Sequence, residues 1–370
     1  MENFWYQLAN ESEVDSPTLL VYKDRVQYNI QKMIDIIGNP ERLMVHIKTN
    51  KTPEILQMLL AAGITRFKCA TVAEAEMAAI AGAKYIVIAH QLVGPKIERL
   101  IQLRKLYPEV FIASLLDDHK NIIIHNDLFK KANLIADIFI DINNGMDRSG
   151  HPVNKKLIEL YQFTYNQSNI HLHGLHVYDG HLRDRDFSER KDKIDSGFET
   201  VHNLTENIEK SGLPTPLIIA GGTPAFTSHA TRAEVYCSPG TCVLWDWGYG
   251  DQLSEQNFEH AALILTRVIS KPAPGIITID LGHKAVAAEN PIDKRIRFLN
   301  LHDYELISQS EEHGVLKVKN WEDIKIGDAF YGVPYHICPT VNLYEEMQVI
   351  NDGKATETWQ VVGRKRKITV

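Results

Sequence analysis

The fold is decided by residues 43–90, which read LMVHIKTNKTPEILQMLLAAGITRFKCATVAEAEMAAIAGAKYIVIAH. Short apolar runs alternate there with longer segments that have helical periodicity. The first helical segment has Pro53 at its start and Gly63 just past its end, as is typical of a helix. The second begins with a capping box, Thr71 to Glu74. Alternation of this kind predicts parallel strands joined by helices.

The alternation continues to about residue 240 and gives eight predicted parallel strands. They are residues 43–47, 66–70, 85–90, 111–116, 135–142, 171–177, 217–220 and 234–236. Eight strands, each but the last followed by a helical pattern, fit a (β/α)8 TIM-type barrel, an α/β fold. A doubly wound parallel sheet has the same local pattern and is the alternative. A further strand at residues 18–22 has no place in a barrel of eight, so we expect it to pair with the other domain.

After residue 252 the sequence changes to short apolar runs separated by Gly, Pro and Asn, with little helical periodicity. The runs lie at residues 261–269, 275–279, 314–318 and 347–350. This pattern is typical of an all-β domain. We therefore expect a barrel over residues 17–252 and a second, all-β C-terminal domain over residues 253–370, which also includes the N-terminal residues 1–16.

The composition excludes several classes of partner. The 370 residues carry 40 Lys and Arg against 47 Asp and Glu, a net charge of −7, which argues against binding to nucleic acid or an anionic membrane. No apolar run reaches the roughly 18 residues of a membrane span, and the first residues lack the pattern of a secretory leader. We therefore expect a cytoplasmic protein with a small-molecule partner. The 4 cysteines include no Cys-x-x-Cys pair, so a metal site would have mixed ligands.

Two glycine-containing turns follow the seventh and eighth predicted strands, where a barrel often binds phosphate. Glycine lets the backbone approach an anion closely, and a neighbouring hydroxyl can donate a hydrogen bond. A plain turn is the alternative for each. The candidate phosphate-binding residues are Gly221, Gly222 and Thr223 in the first turn, and Ser238, Pro239, Gly240 and Thr241 in the second.

A lysine, Lys48, stands at the end of the first barrel strand. Burial at the barrel and a second cation, Lys51, would both favour the uncharged amine, which is the form that attacks a carbonyl carbon. The alternative is a lysine that leaves the strand for solvent. A reactive lysine together with a phosphate-binding site is what pyridoxal phosphate requires of a protein.

The segment VHIKTNK, residues 45–51, resembles the cofactor-lysine segment of the D-threonine aldolase and D-serine dehydratase family, the alanine-racemase-like pyridoxal-phosphate enzymes of fold type III. The resemblance extends over nearly the whole chain. Its other landmarks are SPT at 16–18, NGMDRSG at 144–150, GLHVY at 174–178, GGT at 221–223, SEEHG at 310–314 and PYHICP at 334–339. The sequence departs from the family in having Met44 and Val45 in place of Arg-Pro, and Asn50 in place of a second histidine.

The resemblance implies the same barrel and a role for each matching residue. Lys48 would form the Schiff base with pyridoxal phosphate and move protons at the substrate Cα. Arg148 would approach the phenolic oxygen of the cofactor, and Tyr178 would pack against its pyridine ring. Without the resemblance, Arg148 would be interpreted as a surface arginine at a strand end and Tyr178 as a core tyrosine.

His336 and Cys338 form a His-x-Cys pair whose side chains point the same way if the segment is extended. Imidazole and thiolate together suit Zn²⁺. A chance pair beside a proline is the alternative, but the resemblance implies a divalent metal at this position, near the cofactor. We expect zinc because of the softness of the thiolate, with manganese or magnesium as alternatives.

Three histidines, His173, His176 and His181, cluster at the sixth predicted barrel strand and the loop after it. Strand alternation places His176 and Tyr178 on one face, and His181 in the loop, where an acid/base group could reach a substrate. We therefore predict His181 as a catalytic residue beside Lys48. A plain turn is the alternative for His181.

With the resemblance, these residues predict a pyridoxal-phosphate-dependent, metal-assisted lyase that acts on D-β-hydroxy-α-amino acids. We place D-threonine aldolase first, with retro-aldol cleavage to glycine and an aldehyde. D-serine dehydratase, which forms pyruvate and ammonia, is the alternative. An amino-acid racemase and a non-catalytic protein that binds pyridoxal phosphate are further alternatives. The resemblance also implies a homodimer.

Overall fold

The structure, a computed structural model, describes residues 4–370, which form two compact units. The barrel unit consists of Met33–Lys48, Pro53–Gly240 and Gly363–Val370. The β unit consists of the described residues up to Lys32, Thr49–Thr52 and Thr241–Val362. A strand, β1 (Thr18–Tyr22), and a helix, α1 (Lys23–Ile37), precede the barrel strands in the chain.

The sheet of the barrel unit is parallel. Its strands are β2 (Met44–His46), β3 (Arg66–Cys69), β4 (Tyr85–Gln91), β5 (Phe111–Leu116), β6 (Ala136–Asn143), β7 (His151–Pro152), β8 (Ile170–Val177), β9 (Leu217–Ala220) and β10 (Val235–Cys237). All but β7, which pairs with β6, follow one another in the order of the chain. A bridge between Leu43 and Cys237 joins the ends of this sheet. The nearly closed barrel of eight strands confirms the predicted fold, and each predicted strand agrees with the observed one to within one residue at either end.

Helices cover the outside of the barrel because their apolar faces need a partner surface. They are α2 (Pro53–Ala61), α3 (Val72–Ile80), α4 (Pro95–Leu106), α5 (His119–Lys131), α6 (Lys155–Tyr165), α7 (Phe187–Lys210) and α8 (Phe226–His229). The predicted capping box is present, since Thr71 Oγ1 accepts a hydrogen bond from the Glu74 N–H at 3.0 Å. Apolar side chains fill the barrel interior, namely Met44, Val87, Ala113, Leu115, Phe139 and Ile219.

The β unit is built mainly from antiparallel strands and contains two short helices, α9 (Trp247–Gln252) and α10 (Ile337–Val341). Its strands after β1 are β11 (Ala262–Ala273), β12 (Ile276–Ile279), β13 (Ile296–Phe298), β14 (Tyr304–Gln309), β15 (Gly314–Val318), β16 (Ala329–Pro334), β17 (Glu346–Asn351) and β18 (Lys354–Gln360). The strand β1 lies between β11, with which it is antiparallel, and β17, with which it is parallel. The prediction that this strand pairs outside the barrel is confirmed.

The compact units differ from the predicted domains at the end of the barrel sequence and at the end of the chain. The chain enters the β unit at Thr241, before the predicted boundary at residue 252. The last residues, Gly363–Val370, belong to the barrel unit. There Arg99 Nη2 donates to the Val370 carbonyl at 2.9 Å, and the Thr369 N–H donates to buried Glu76 at 3.0 Å. These polar contacts hold the C-terminal segment on the barrel.

None of the helices in the described part of the chain is both long enough and apolar enough to cross a membrane.

Candidate active site

A cavity of about 450 Å³ lies at the C-terminal ends of the barrel strands. Lys48 reaches it from just after β2, Lys68 from β3 and Arg148 from the loop after β6. His176 and Tyr178 reach it from the end of β8, as the alternation of the strand predicts. The side chains predicted for the cofactor site, Lys48, Arg148 and Tyr178, thus line one cavity. It is rich in positive charge, because three of its lining residues are Lys or Arg.

The ring of Tyr178 is held between two glycines. A Cβ at Gly180 would lie 2.1 Å from Tyr178 Oη, and a Cβ at Gly222 would lie 2.8 Å from Tyr178 Cε2. Any side chain at either position would therefore displace the ring. The guanidinium of Arg148 lies over the ring, 4.5 Å from its centroid. This packing fixes the plane of the ring and brings the two predicted residues together.

The loop that carries Arg148 is anchored on both sides. The Ser149 hydroxyl donates to Asp141 Oδ2 at 2.9 Å, and the Gly150 N–H donates to Asp117 Oδ2 at 2.9 Å. Gly150 has φ +95°, and a Cβ there would lie 2.5 Å from the backbone nitrogen of Asn143, so only glycine fits. These anchors explain how an exposed arginine is kept at a defined place beside the cavity.

A buried chain of hydrogen bonds runs beneath the cavity from Asp141 to Ser238. His176 Nδ1 lies 2.7 Å from Asp141 Oδ1, and since a carboxylate accepts, this nitrogen carries the proton. His176 Nε2 is then the acceptor that faces Lys68 Nζ at 3.4 Å. Lys68 Nζ also donates to the Ser238 hydroxyl at 2.5 Å.

Burial and neighbouring groups shift the pKa values of the side chains in this chain of hydrogen bonds. Burial and the charge of Lys48 lower the pKa of Lys68 to about 7. Burial and the charge of Lys68 lower the pKa of His176, which stays neutral. Burial alone would raise the pKa of Asp141, but its hydrogen bonds, first that from His176, bring it below the usual value. The chain is therefore a carboxylate, a neutral imidazole and an amine close to its titration point.

Lys68 was not predicted from the sequence. A signal exists in the segment RFKC at 66–69, where Arg66 and Lys68 alternate with Phe67 and Cys69 along a barrel strand. In such a strand one of the two alternating sets faces the barrel interior. A lysine at the end of an interior-facing set is a candidate for the active face.

The two predicted phosphate turns contact each other through Thr223 and Gly240. The Gly240 N–H donates to Thr223 Oγ1 at 3.2 Å. Gly221 has φ +67°, and a Cβ there would lie 3.1 Å from His229 Cβ. The Pro239 carbonyl accepts from the His46 N–H at 2.9 Å, which holds the second turn against β2. The first turn therefore requires glycine at Gly221, and backbone hydrogen bonds hold the second turn against Thr223 and β2.

Two of the predicted turn residues have other contacts. The Ser238 N–H donates to the carbonyls of Ala220 and Gly221, both at 3.0 Å. The Ser238 hydroxyl accepts from Lys68 and donates to the Ala220 carbonyl. Thr241 belongs to the β unit, where its hydroxyl lies 3.6 Å from Cys338 Sγ. Of the seven predicted residues, Thr241 alone therefore belongs to the β unit.

His181 lies against the loop of Arg148 and is not among the residues that line the cavity. A Cβ at Gly145 in that loop would lie 3.4 Å from His181 Nε2. The other ring nitrogen, His181 Nδ1, is buried and has no hydrogen-bond partner among the described residues. The same turn is held by Asp179, whose Oδ2 lies 2.6 Å from buried His229 Nε2. A fixed turn with an unused ring nitrogen is compatible with an acid/base role.

The three predicted clustered histidines are not one cluster. His173 lies near the start of β8, where its Nε2 is 2.8 Å from Asp137 Oδ1, so it is at the other end of the barrel from the cavity. The prediction was wrong because a strand rises about 3.3 Å per residue, which separates His173 from His181. Asp137, His171 and His173 have ligand atoms within 4.8 Å of one another, but Arg104 already donates to the same carboxylate.

The predicted metal pair lies in the β unit. His336 caps α10 with an extended backbone, and Cys338 is in the first turn of that helix, so the segment is not extended throughout. The two side chains nevertheless interact. Burial lowers the pKa of His336, but the hydrogen bond and charge of Cys338, with smaller contributions from Asp246 and Glu289, outweigh it and raise the pKa to about 9. Imidazole and thiolate are thus adjacent, as a shared metal requires.

Glu289 is a site residue that the sequence did not indicate. Its Oε1 lies 2.6 Å from His336 Nδ1. A carboxylate at one ring nitrogen fixes the tautomer and leaves the other nitrogen free to bind a metal. Cys338 Sγ lies 3.2 Å from Thr49 Oγ1, which also belongs to the β unit. No local pattern links Glu289 to the pair, since it is 47 positions away from His336 in the chain.

The chain combines a parallel barrel, which has a cationic cavity at its strand ends, with a β unit. This combination defines a class of two-domain proteins. Residues 21–245 match the family model described as alanine racemase, N-terminal domain. This match covers more than half of the chain, which therefore belongs to that family. Residues 261–350 match a model described as a putative serine dehydratase domain.

Relatives of known function align over almost the full chain. A 3-hydroxy-D-aspartate aldolase of Paracoccus denitrificans (strain Pd 1222) is 28% identical over 369 residues, 96% of this chain and 93% of the relative. A D-threonine aldolase of an Arthrobacter species is 27% identical over 361 residues, 95% of this chain and 93% of the relative. A D-threo-3-hydroxyaspartate dehydratase of a Delftia species (strain HT23) is 22% identical, with coverage of 94% and 97%. Aldolases and dehydratases are lyases, and the predicted enzyme class is confirmed.

The solved structures agree. The D-threonine aldolase of Filomicrobium marinum superposes with a TM-score of 0.88 at 25% identity, covering 97% of this chain and 98% of the other. The predicted family and fold class, an alanine-racemase-like TIM-type barrel with a β domain, are confirmed.

Proposed function

We propose that this protein is a pyridoxal-phosphate-dependent, metal-assisted lyase of D-β-hydroxy-α-amino acids, and that it cleaves D-threonine to glycine and acetaldehyde. The observation that carries the proposal is the cavity at the barrel strand ends, where Lys48, Arg148 and Tyr178 meet. The similarity to aldolases over nearly the whole chain supports this reaction.

The residues present fit the cofactor. Three cations line the cavity, and two glycine-containing turns, joined by the hydrogen bond from the Gly240 N–H to Thr223 Oγ1, lie at neighbouring strand ends. An anionic, phosphorylated aldehyde is complementary to both features. We propose that Lys48 binds its carbonyl carbon, that Arg148 and Tyr178 hold its ring, and that Gly221, Gly222, Thr223 and Gly240 hold its phosphate. When bound, pyridoxal phosphate takes up the electron pair left on the substrate Cα.

We propose that His336 and Cys338 hold a divalent metal, with zinc first because thiolate and imidazole favour it. The hydrogen bond between the two side chains places them close enough to bind the same metal ion, which supports this proposal. A metal in this place would polarise the hydroxyl of a substrate. Manganese and magnesium remain the alternatives.

Two residues are proposed to move protons. Lys48 returns a proton to the substrate Cα, because its amine lies in the cavity. His181 takes the proton of the β-hydroxyl, and its unpartnered Nδ1 supports this role. We further propose a homodimer in the cytoplasm that acts on small D-amino acids and has no nucleic-acid or membrane partner.

Dehydration of D-serine to pyruvate is the second candidate. It is favoured by the match of residues 261–350, which include the His-x-Cys pair, to a serine dehydratase domain. Dehydration needs the hydroxide to leave after Lys48 removes the α-proton, whereas aldol cleavage needs the hydroxyl to lose its proton. The same residues serve either reaction, so the substrate decides between them.

One assay tests the proposal. Purified protein is loaded with pyridoxal phosphate and Zn²⁺ and supplied with D-threonine, D-serine or D-alanine. We expect acetaldehyde from D-threonine as the fastest product. Pyruvate from D-serine at a higher rate would replace aldolase by dehydratase, and L-alanine from D-alanine would indicate a racemase. Absence of every product, with the cofactor bound, would contradict the enzyme proposal in favour of a cofactor-binding protein.

A further inference from the structure

Lys68 is a second lysine in the proposed cofactor cavity, and no part of the proposed reaction uses it. Its side chain is almost completely buried, with 1% of the residue exposed, and it lines the cavity. A lysine ammonium has three N–H donors. Among the described residues two acceptors lie within hydrogen-bond distance, Ser238 Oγ and His176 Nε2. One donor is therefore left over in a cavity of about 450 Å³.

More positive than negative side chains face Lys68. The groups that face it are the cations of Lys48 and Arg148, the ring of Tyr178, the imidazoles of His46 and His176, the thiol of Cys237 and the carboxylates of Asp141 and Asp179. The two oxygens of Asp141 already accept from His176, Gln91 and Ser149. One Asp179 oxygen is bonded to His229, and the other is buried without a hydrogen-bond partner among the described residues. The three cations Lys48, Lys68 and Arg148 still outnumber the two carboxylates.

We propose that Lys68 is a cofactor-binding residue, whose remaining N–H donates to an anionic oxygen of pyridoxal phosphate while Ser238 and His176 hold its amine in place. This inference rests on the proposed function. A contact with the cofactor is favoured over one with the substrate because Lys68 is bonded to Ser238, a residue of the proposed phosphate turn whose Gly240 N–H donates to Thr223 Oγ1.

The contact has a consequence for pH dependence. Burial and Lys48 lower the pKa of Lys68 to about 7 in the free protein. An anion bound beside the amine favours its charged form and raises this pKa again. Binding therefore takes up a proton above pH 7. The contribution of Lys68 to affinity is complete below about pH 7 and declines as the pH rises above it.

The test is the affinity of the cofactor-free protein for pyridoxal phosphate, measured by equilibrium dialysis at pH 6.5 and pH 8.5. The variants are Lys68→Met, Lys68→Arg and, as the charge-matched control, Lys84→Met, which changes a largely exposed surface lysine. Circular dichroism verifies that each variant is folded. Comparison with the wild type at each pH cancels the titration of the cofactor itself.

At pH 6.5 we expect Lys68→Met to bind pyridoxal phosphate about tenfold to hundredfold more weakly, as for a lost hydrogen bond to a charged group. Lys68→Arg should recover part of the loss, and Lys84→Met should bind like the wild type. The ratio between wild type and Lys68→Met should shrink about tenfold at pH 8.5. The same ratio measured with pyridoxal, which has no phosphate, shows which oxygen is contacted: it persists for the phenolic oxygen and disappears for the phosphate.

Equal affinities of wild type and Lys68→Met at both pH values would overturn the inference. An unchanged cofactor affinity with a raised KM for D-threonine would also overturn it and assign Lys68 to the substrate. A wild-type protein that does not bind pyridoxal phosphate at all contradicts the proposed function itself, which is a different result from either of these.

Discussion

The cavity of the barrel unit and the metal pair of the β unit are built in different ways. In the barrel, polar side chains from neighbouring strand ends are buried and bonded to one another, as in the chain from Asp141 to Ser238. In the β unit, His336 and Glu289 are 43% and 46% exposed and meet at the start of a short helix. The barrel site is therefore set by the fold, whereas the metal pair depends on a few side-chain contacts. We expect the two sites to fail independently.

The largest effect should follow from removing the cofactor lysine. Lys48→Ala should lose the yellow colour of the bound cofactor and lower turnover by about 10⁴-fold or more, because the residue both binds the cofactor and moves a proton. The metal content should stay at the wild-type level, since the metal pair is in the other unit. Absorbance, turnover and metal analysis of the same preparation give the three values.

Borohydride reduction provides the control for this prediction. In wild-type protein it should fix the cofactor to the peptide that contains Lys48. Recovery of the label on Lys51, or on Lys68 with its lowered pKa, would show that another amine is the reactive one.

Removal of the metal should have the second-largest effect. It should impair the metal site and leave the cofactor site intact, which is the reverse of the result expected for Lys48→Ala. Treatment with EDTA should lower turnover by about 10³-fold, because activation of the hydroxyl is worth several kcal/mol. The absorbance of the bound cofactor should not change, since its proposed ligands are in the barrel. Zn²⁺ added back should restore turnover. Full activity of rigorously metal-free protein would remove the metal from the reaction.

The same contrast explains what could be predicted from the sequence. The barrel strands repeat one local pattern, so 111–116 and 217–220 agree with β5 and β9 at both ends. Lys48 and Tyr178 stand just after such strands, so the sequence indicated them together with the strands. Lys68 was missed because its polar side chain lies inside a strand that was interpreted as apolar. An amine buried this deeply is kept by tertiary contacts, which a local pattern does not contain.

The His-x-Cys pair was proposed as a metal site from its residue types, but the sequence did not indicate its conformation. Both Cys338 and Pro339 lie in the first turn of α10. Backbone N–H groups in the first turn have no partner within the helix, so proline is tolerated there. Glu289 comes from a distant loop, and only the folded chain shows that it belongs to the pair.

His181 tests whether the barrel unit performs both proton transfers. His181→Ala should lower cleavage of D-threonine by about 10²-fold or more, because a general base for the β-hydroxyl is lost. Exchange of the Cα proton of glycine or D-alanine needs Lys48 and the cofactor and should continue at nearly the wild-type rate. His202→Ala, which changes an exposed histidine of α7, is the matched control.

The ratio of the two rates decides the result for His181. Equal loss of both reactions would make His181 a structural residue of its turn. Unchanged cleavage would mean that the base is elsewhere, and the unpartnered Nδ1 would have no catalytic meaning.

The smallest effect should come from Glu289, which contacts His336 and not the metal. Its carboxylate accepts from His336 Nδ1 at 2.6 Å, which orients the ring and keeps the other nitrogen available. Glu289→Gln keeps the size of the side chain but weakens this hydrogen bond. We expect the apparent affinity for Zn²⁺ to fall by about 10- to 100-fold, with cofactor binding unchanged. Glu322→Gln, at an exposed position of the same unit, is the control.

If Glu289 only positions the ligand His336, saturating Zn²⁺ should return turnover close to the wild-type value. A turnover that stays low at saturating Zn²⁺ would show that Glu289 acts on the substrate, and a wild-type affinity would show that the pair is oriented without it.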